Sequence, residues 1–407
     1  MKKQIIKTIN YLNFFLALAL ASVNIFSFSN VLRIIILIFC LSYLVEFFLE
    51  KKWIGIYFDK KKIYFLIVLL FFLLAPISSL FDQTPKYVKM LLERRYALLG
   101  FAFIGFFGVN DKYRIRYFLD TIIITSVASI LYLVLYRIGL NEFISNPLRS
   151  DVFYHSRIEY VNGHMMFNFY LNISLIGIWF IFSNNWKTLS WWKVSFYITS
   201  FVLFLYILFI SEGRSGFTEA CILIVGFIGI KLWKLRNWKI AITLIVLIPF
   251  VLFGLFSHHQ RMSKIDLESE PRLFLWQSAI SVIKEKPVFG WGLSNAQEKF
   301  DVARTNYQTE IYKGWVKENK FILLDSHNQY LQSTMEFGLV GLVLLLIIYG
   351  FPVFLVDNNK KLFALLFTFL CSYHSIFDIF ITGIFGTIYF LMILLILQNE
   401  DVKEKLL

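Results

Sequence analysis

The chain is 407 residues long with 58% hydrophobic and 16% charged side chains and a mean hydropathy of +0.66, far from the roughly 45–50% apolar and 25% charged of soluble domains. These values exclude a soluble globular fold and a disordered chain, and long apolar runs without polar–apolar alternation exclude a β-barrel, leaving an all-α integral membrane protein. A formal charge of +13 would suit nucleic acid in a soluble protein, but Lys and Arg gather on the cytoplasmic loops of membrane proteins, so the charge reports topology and no nucleic-acid partner is expected.

Counting about 20 residues per crossing, apolar runs at 9–28, 31–49, 63–80, 95–110, 118–140, 164–183, 194–211, 217–232, 240–257, 335–356, 362–377 and 379–397 predict twelve spans. The start, Met1-Lys2-Lys3 and an apolar stretch, lacks a small-x-small cleavage site before a soluble region, so the first run is kept as a span. With the N-terminus in the cytoplasm, 21 basic residues fall on inner segments and nine on short outer ones, which fixes the orientation by the positive-inside rule. Residues 258–330 then form one large outer loop carrying ten bases and nine acids. The organisation expected is spans one to nine over 1–257, the loop over 258–330, and spans ten to twelve with a cytoplasmic tail over 331–407. Cys40, Cys221 and Cys371 lie in apolar runs with no paired spacing and no His cluster, implying neither a disulfide framework nor a metal site.

Polar residues at the outer ends of the spans are the candidates for chemistry. Arg94 and Arg95, at the outer end of the fourth span, suit lipid phosphate or simply face headgroups. His155, Arg157 and His164 on the loop 141–163 are weaker. Glu212-Gly213-Arg214-Ser215-Gly216 is a tight outer turn in which glycines allow close backbone approach and a guanidinium suits bidentate phosphate contact; the plainer reading is an arginine paired with Glu212 at the interface. His258 and His259 are adjacent, so on a helix their rings point about 100° apart and share a metal poorly.

Within the large loop, Glu270-Pro271-Arg272 opens a helical pattern, with apolar residues at Leu273, Trp276, Ala279, Ile280 and Ile283, closed by Pro287 and Gly290-Trp291-Gly292. Arg272 is one turn from Trp276 and reads either as a stacked interfacial arginine or as a phosphate ligand. At Asp325-Ser326-His327-Asn328, Asp325 or Ser326 would cap a helix leading into the tenth span. His327 would then lie in its first turn, held neutral by the positive end of the dipole and oriented by Asp325 or Glu336. No Walker loop, GxSxG or HExxH occurs.

Three segments together resemble the O-antigen ligase and polymerase superfamily of membrane glycosyltransferases. They are Ser211 to Gly216; Arg272 to Gly292, reading RLFLWQSAISVIKEKPVFGWG; and His327 to Leu342, reading HNQYLQSTMEFGLVGL. The resemblance implies about twelve transmembrane helices with one large periplasmic loop containing short helices, in the bacterial inner membrane, with the active site facing the periplasm. It implies an enzyme transferring a glycan from undecaprenyl pyrophosphate to a hydroxyl, with no cofactor, nucleotide or metal. Arg214 and Arg272 would hold the pyrophosphate and His327 would deprotonate the acceptor. Arg94, Arg95, Asn328 and Glu336 are the further candidates for substrate binding. One dominant outer loop favours a ligase acting on lipid A-core; a surface-polysaccharide polymerase is the alternative, followed by transfer to protein. A lipid-linked oligosaccharide transporter would want charges deep in several spans and repeat symmetry, and the sequence shows neither.

The orientation is open to test. A cysteine introduced as Lys299→Cys is expected to react with an impermeant maleimide added from outside, and one introduced as Lys61→Cys is expected to stay protected; the reverse pattern would invert the topology.

Overall fold

The computed structural model describes residues 2–23, 25–26, 29–53, 58–83, 85–108, 115–145, 163–211, 214–234, 271–306, 325–383 and 385–397. The expected ninth span at 240–257, His155, Arg157, His258, His259 and residues 258–270 and 307–324 of the large loop lie outside these residues. In chain order the helices are α1 (Lys2–Val23), α2 (Ser29–Glu50), α3 (Lys60–Ser79), α4 (Val88–Glu93), α5 (Tyr96–Phe107), α6 (Ile115–Tyr132), α7 (Leu140–Ser145), α8 (Gly163–Asn185), α9 (Trp191–Ile210) and α10 (Arg214–Lys234). There follow α11 (Pro271–Glu285), α12 (Leu293–Asn306), α13 (Gln329–Gly350), α14 (Pro352–Leu355), α15 (Asn358–His374) and α16 (Gly386–Leu397). No strand occurs among the described residues.

Seven of the described helices are long and apolar enough to cross a membrane: α1, α2, α3, α6 with its π-helical extension to Ile138, α8, α9 and α13. The protein is a multi-pass, all-α membrane protein. Several expected spans have different bounds. The run 95–110 is a helix of only 12 residues, and the run at 379–397 becomes helical only from Gly386. Residues 375–383 turn instead, carrying Asp378, a charge that resists burial inside an apolar helix.

The chain divides into two compact units, one built from α1–α5 with α11–α16, the other from α6–α10. In the first, α1 and α2 are joined by a buried polar seam. Asn13 Nδ2 donates to Glu46 Oε2 at 2.7 Å, Ser42 donates to Asn13, and Lys52 Nζ sits 2.6 Å from Glu46 Oε1. Farther along, α3 is capped by Asp59, whose carboxylate accepts from the Lys62 N–H, and packs against α5 and α13.

The loop helices α11 and α12 fold onto α13 rather than lying loose on a surface. Phe274, Leu275, Ala279 and Val282 of α11 meet Ala296 and Phe300 of α12 and Met335 of α13 in one buried cluster. Ile280 faces outward, completing an amphipathic helix of 3.6-residue period. The start of α12 is held by Asp82, which follows α3 and accepts from the Ser294 and Asn295 N–H groups at 3.0 and 3.3 Å.

The turn between α11 and α12 enters a break in α13. Gly338 has φ 63° and ψ −156°, a combination essentially confined to glycine. The break frees main-chain groups, and the 287–292 turn satisfies them. Trp291 and Gly292 N–H donate to Met335 and Glu336 carbonyls at 2.9 Å, and Leu339 N–H donates to the Pro287 carbonyl at 2.9 Å. A side chain on Gly338 would collide with the Val288 main chain, and one on Gly290 with the Glu336 main chain.

Gly338→Ala is therefore expected to lower the thermal unfolding midpoint of the detergent-purified protein, with about 1–3 kcal/mol lost to the backbone conformation alone and more to the displaced turn. An unchanged midpoint would show that the interlock does not form.

Candidate active site

The first turn of α13 is set by Asn328, which is extended and accepts the Leu331 N–H at 3.0 Å through Oδ1. Asn328, not Asp325 or Ser326, is thus the cap, and His327 lies one residue before it rather than in the first turn. His327 has φ 45°, an uncommon conformation for a residue with a side chain. Asp325 Oδ1 stabilises it by accepting the His327 N–H at 3.0 Å, and Ser326 Oγ donates to the Asn328 carbonyl at 2.9 Å.

Gln329 ties this corner to the turn after α15. Its N–H donates to the Ser375 carbonyl at 2.8 Å, and its Oε1 accepts from Thr382 N–H and Oγ1 at 3.1 and 3.2 Å. The turn brings Asp378 to His327. The imidazole Nδ1 lies 3.6 Å from Asp378 Oδ1 and 3.7 Å from Asp325 Oδ1, while 40% of the side chain remains exposed. Two carboxylates thus face Nδ1, and among the described residues no group is bonded to Nε2.

These contacts decide the electrostatics. Burial opposes a charged imidazole, but the Asp378 and Asp325 carboxylates outweigh it against a smaller opposing effect of Arg272, so the pKa of His327 is raised above 6.5. The neutral ring expected from a helix dipole is replaced by a ring biased toward its protonated form, because the residue precedes the cap and faces acids. For Asp378, burial pushes the carboxyl up but His327 more than offsets it, and the pKa is lowered. Asp325 is raised, mainly by burial.

Arg272, in the first turn of α11, joins the same corner. It is half-buried, with its guanidinium carbon 5.9 Å from the centre of the Phe377 ring. Trp276, one turn on, lies 6.4 Å from the same ring. Phe377 precedes Asp378 in the chain, so the aromatic support of Arg272 and the carboxylate facing His327 belong to one turn.

Glu336, offered with Asp325 as a group to orient His327, pairs with Arg95 instead. Arg95 Nη2 lies 2.8 and 2.6 Å from its two carboxylate oxygens, and Gln332 Nε2 donates to it at 2.9 Å. Arg95 Nη1 donates to the Leu91 carbonyl at 2.8 Å. Arg95 and Glu336 are both buried and committed to each other, whereas Arg94 is exposed. A cavity of about 920 Å³ is lined by Arg94, Arg95, Asp325, Gln332, Glu336 and Asp378 among others.

In the second unit, Arg214 opens α10; its side chain, and Glu212 and Gly213, lie outside the described residues. The turn is held from α8. Asn168 Nδ2 donates to Ser211 Oγ at 3.0 Å, and Asn172 Nδ2 donates to the Gly216 carbonyl at 2.9 Å and to Glu219 Oε2 at 3.1 Å. Neither asparagine had been singled out from the sequence, although two amides four residues apart in an apolar helix are such a signal. The same holds for Asp378, the lone acid of an otherwise apolar stretch. No group of three or more metal-ligating side chains is found among the described residues.

Residues 199–346 match the family model described as O-antigen ligase. The segment contains Arg214, Arg272 and His327. Over that segment the chain is similar to the O-antigen ligase family. A Rickettsia conorii protein named as a candidate polysaccharide ligase is 30% identical over 184 residues, which is 42% of this chain and 43% of that protein. One of the same name from Rickettsia typhi is 31% identical over 164 residues, 38% of this chain and 39% of its own length. A Haemophilus influenzae protein without a functional name is 27% identical over 168 residues, 37% and 40% of the two chains. The chain thus spans less than half the length of the curated relatives it matches. No solved structure matches it.

The carboxylates around His327 set a pH signature for this corner. Were His327 to serve as a base it would have to be unprotonated, so activity would rise with pH through its pKa, and the acid limb is expected above pH 6.5. In Asp378→Asn one raising charge is gone, and the limb is expected to move to lower pH while the maximal rate falls. A pH profile of kcat/KM for both proteins checks this; an unmoved limb would disconnect Asp378 from His327.

Proposed function

We propose that the protein is a glycosyltransferase of the O-antigen ligase type, transferring an undecaprenyl-pyrophosphate-linked glycan to a sugar hydroxyl of lipid A-core at the periplasmic face of the bacterial inner membrane. The observation that carries this reading is the grouping of His327, Asp378, Asp325 and Arg272 at one corner of the helix bundle, within a segment shared with the ligase superfamily. Relatives named as candidate polysaccharide ligases support the same class.

In this reading His327 Nε2 takes the proton of the acceptor hydroxyl as the oxygen attacks the anomeric carbon. Asp378 and Asp325 face Nδ1, stabilise the imidazolium that forms and fix the ring. Arg272, backed by Phe377 and Trp276, stabilises the negative charge that grows on the departing pyrophosphate. Arg214 is assigned the same role from its motif. Arg95 and Glu336 act by holding α5 to α13 rather than by contacting substrate, since their charged groups are already paired.

Breaking the sugar–phosphate bond supplies the driving force, so the assay is set up without nucleotide and in excess EDTA. Polymerisation of a surface polysaccharide uses the same donor and differs in acceptor. A deletion strain separates the two, because loss of every long chain from lipid A-core marks a ligase and single repeats on core mark a polymerase.

His327→Ala is expected to reduce transfer by about 10²–10⁴-fold, the usual worth of a general base, with donor binding preserved. Arg272→Lys and Arg214→Lys are each expected to lose most activity, because an ammonium does not reproduce the planar fork of a guanidinium. Turnover near wild type in all three variants would reject the reading.

A further inference from the structure

The turn between α11 and α12 carries two apolar side chains at its tip that the described residues leave uncovered. Phe289 is 78% exposed and Val288 about half. Their main chain is nevertheless bonded to α13, so the turn holds them in place rather than letting them fold inward.

The level of this turn in a bilayer follows from the charges of the helices it touches. From Phe337 to Val356, along α13 and α14, 20 residues pass without an Asp, Glu, Lys or Arg. At 1.5 Å of rise each they cover about 30 Å, the thickness of a hydrocarbon core. Glu336 and Asp357 bracket this stretch, so one boundary falls at Glu336. In α3 and the two residues after it, the 19 residues from Ile63 to Phe81 are likewise uncharged and end at Asp82. Both boundary residues bond the same loop. Gly292 N–H donates to the Glu336 carbonyl, and the Asp82 carboxylate accepts from the Ser294 and Asn295 N–H groups. Two spans therefore put residues 292–295 at one boundary.

The tip of the turn lies past it. Leu339 N–H donates to the Pro287 carbonyl at 2.9 Å and Val340 N–H to the Val288 carbonyl at 3.5 Å, and both donors belong to the uncharged stretch. Leu339 and Val343 of α13 are themselves about half exposed, as lipid-facing residues are. Phe289 thus continues a surface that already faces lipid. A turn can enter hydrocarbon only with its main-chain groups bonded. Here Pro287 has no N–H to satisfy, the Lys286, Pro287 and Val288 carbonyls each accept a hydrogen bond, and the Gly290, Trp291 and Gly292 N–H groups each donate one.

The charged neighbours of the turn gather on Trp291. Lys286 and Lys299 Nζ lie 4.0 and 4.5 Å from its ring centre, and Lys299 pairs with Glu285 at 3.3 Å. An indole with ammoniums beside it suits the headgroup level, where one side is apolar and the other wet.

We propose that residues 287–289 are a shallow wedge in one leaflet of the membrane, with Val288 and Phe289 among phospholipid acyl chains and Trp291, Lys286 and Lys299 at the headgroups. The wedge goes beyond the transferase reading and does not depend on it. It gives α11 a lipid anchor at its C-terminal end, while Arg272 lies at the other.

The test uses the full chain in nanodiscs of phosphatidylethanolamine and phosphatidylglycerol. Photoreactive benzoylphenylalanine replaces Phe289, Leu346 or Thr305, one position at a time, and each protein is first shown to keep the wild-type unfolding midpoint. Leu346, about half exposed in the middle of the uncharged stretch, reports lipid; Thr305, exposed near the end of the polar α12, reports water. After irradiation, mass spectrometry counts phospholipid adducts and fragmentation locates the attachment.

Phe289 is expected to give acyl-chain adducts at a yield close to that of Leu346, with Thr305 giving almost none. A yield at Phe289 as low as at Thr305, while Leu346 reacts, would overturn the proposal. Attachment to headgroups instead of acyl chains would place the tip above the boundary and overturn it as well. The same irradiation in native membranes before extraction tests the other occupants. A crosslink from Phe289 to a second copy of the chain or to another protein, in place of the lipid adduct, would make the tip a protein contact and end the wedge.

Discussion

Where α13 breaks at Gly338, the freed carbonyls of Met335 and Glu336 and the N–H of Leu339 are all taken up by the 287–292 turn. An unsatisfied main-chain group at membrane depth costs several kcal/mol, so a helix can break there only if another segment supplies partners. That requirement ties the segment between α11 and α12 to a transmembrane helix through main-chain bonds, which few side-chain substitutions can loosen. It also fixes α11 lengthwise along α13, and so sets the level at which Arg272 meets Phe377 and His327.

A second constraint acts from the opposite side of α13. Burying Arg95 and Glu336 is costly unless the pair is close and its remaining groups are bonded. Here Gln332 and the Leu91 carbonyl supply those bonds. Such a pair adds little net stability but penalises any rearrangement that separates it, which holds α5 and α13 in one register. His327 sits above this pair at the end of the same helix, with its backbone in a left-handed conformation that the Asp325 bond maintains. The ring is therefore positioned by main-chain geometry below and carboxylates beside it.

Much of this arrangement could be read from the sequence. Composition gave the membrane class, proline and glycine gave the bounds of α11, and the motif segments singled out Arg272 and His327, which the fold brings to one corner. What could not be read was pairing. Glu336 was offered as a partner of His327 although nine residues along one helix put it well over two turns deeper, and its partner comes from the start of α5, 241 residues away in sequence. Asp378 was hidden because the residues around it are apolar enough to pass for a span, and only the turn after α15 shows why a charge is tolerated there. The break at Gly338 was likewise invisible, since EFGLVGL reads as continuous helix until the 287–292 turn is seen to fill the gap.

Asn168 and Asn172 make α8 a helix that is poorly suited to lipid by itself. Both amides are buried, and their described partners, Ser211, Gly216 and Glu219, belong to segments translated later. Until α9 and α10 have emerged from the ribosome, the two amides have only water, the insertion machinery or their own helix to bond. Hydrogen bonds between transmembrane helices are worth about 0.6–2 kcal/mol each, enough to favour retention beside the translocon until its partners arrive. The three helices are thus best released into the bilayer as a group, and the arginine at the start of α10 acquires its final surroundings only at that step of biogenesis.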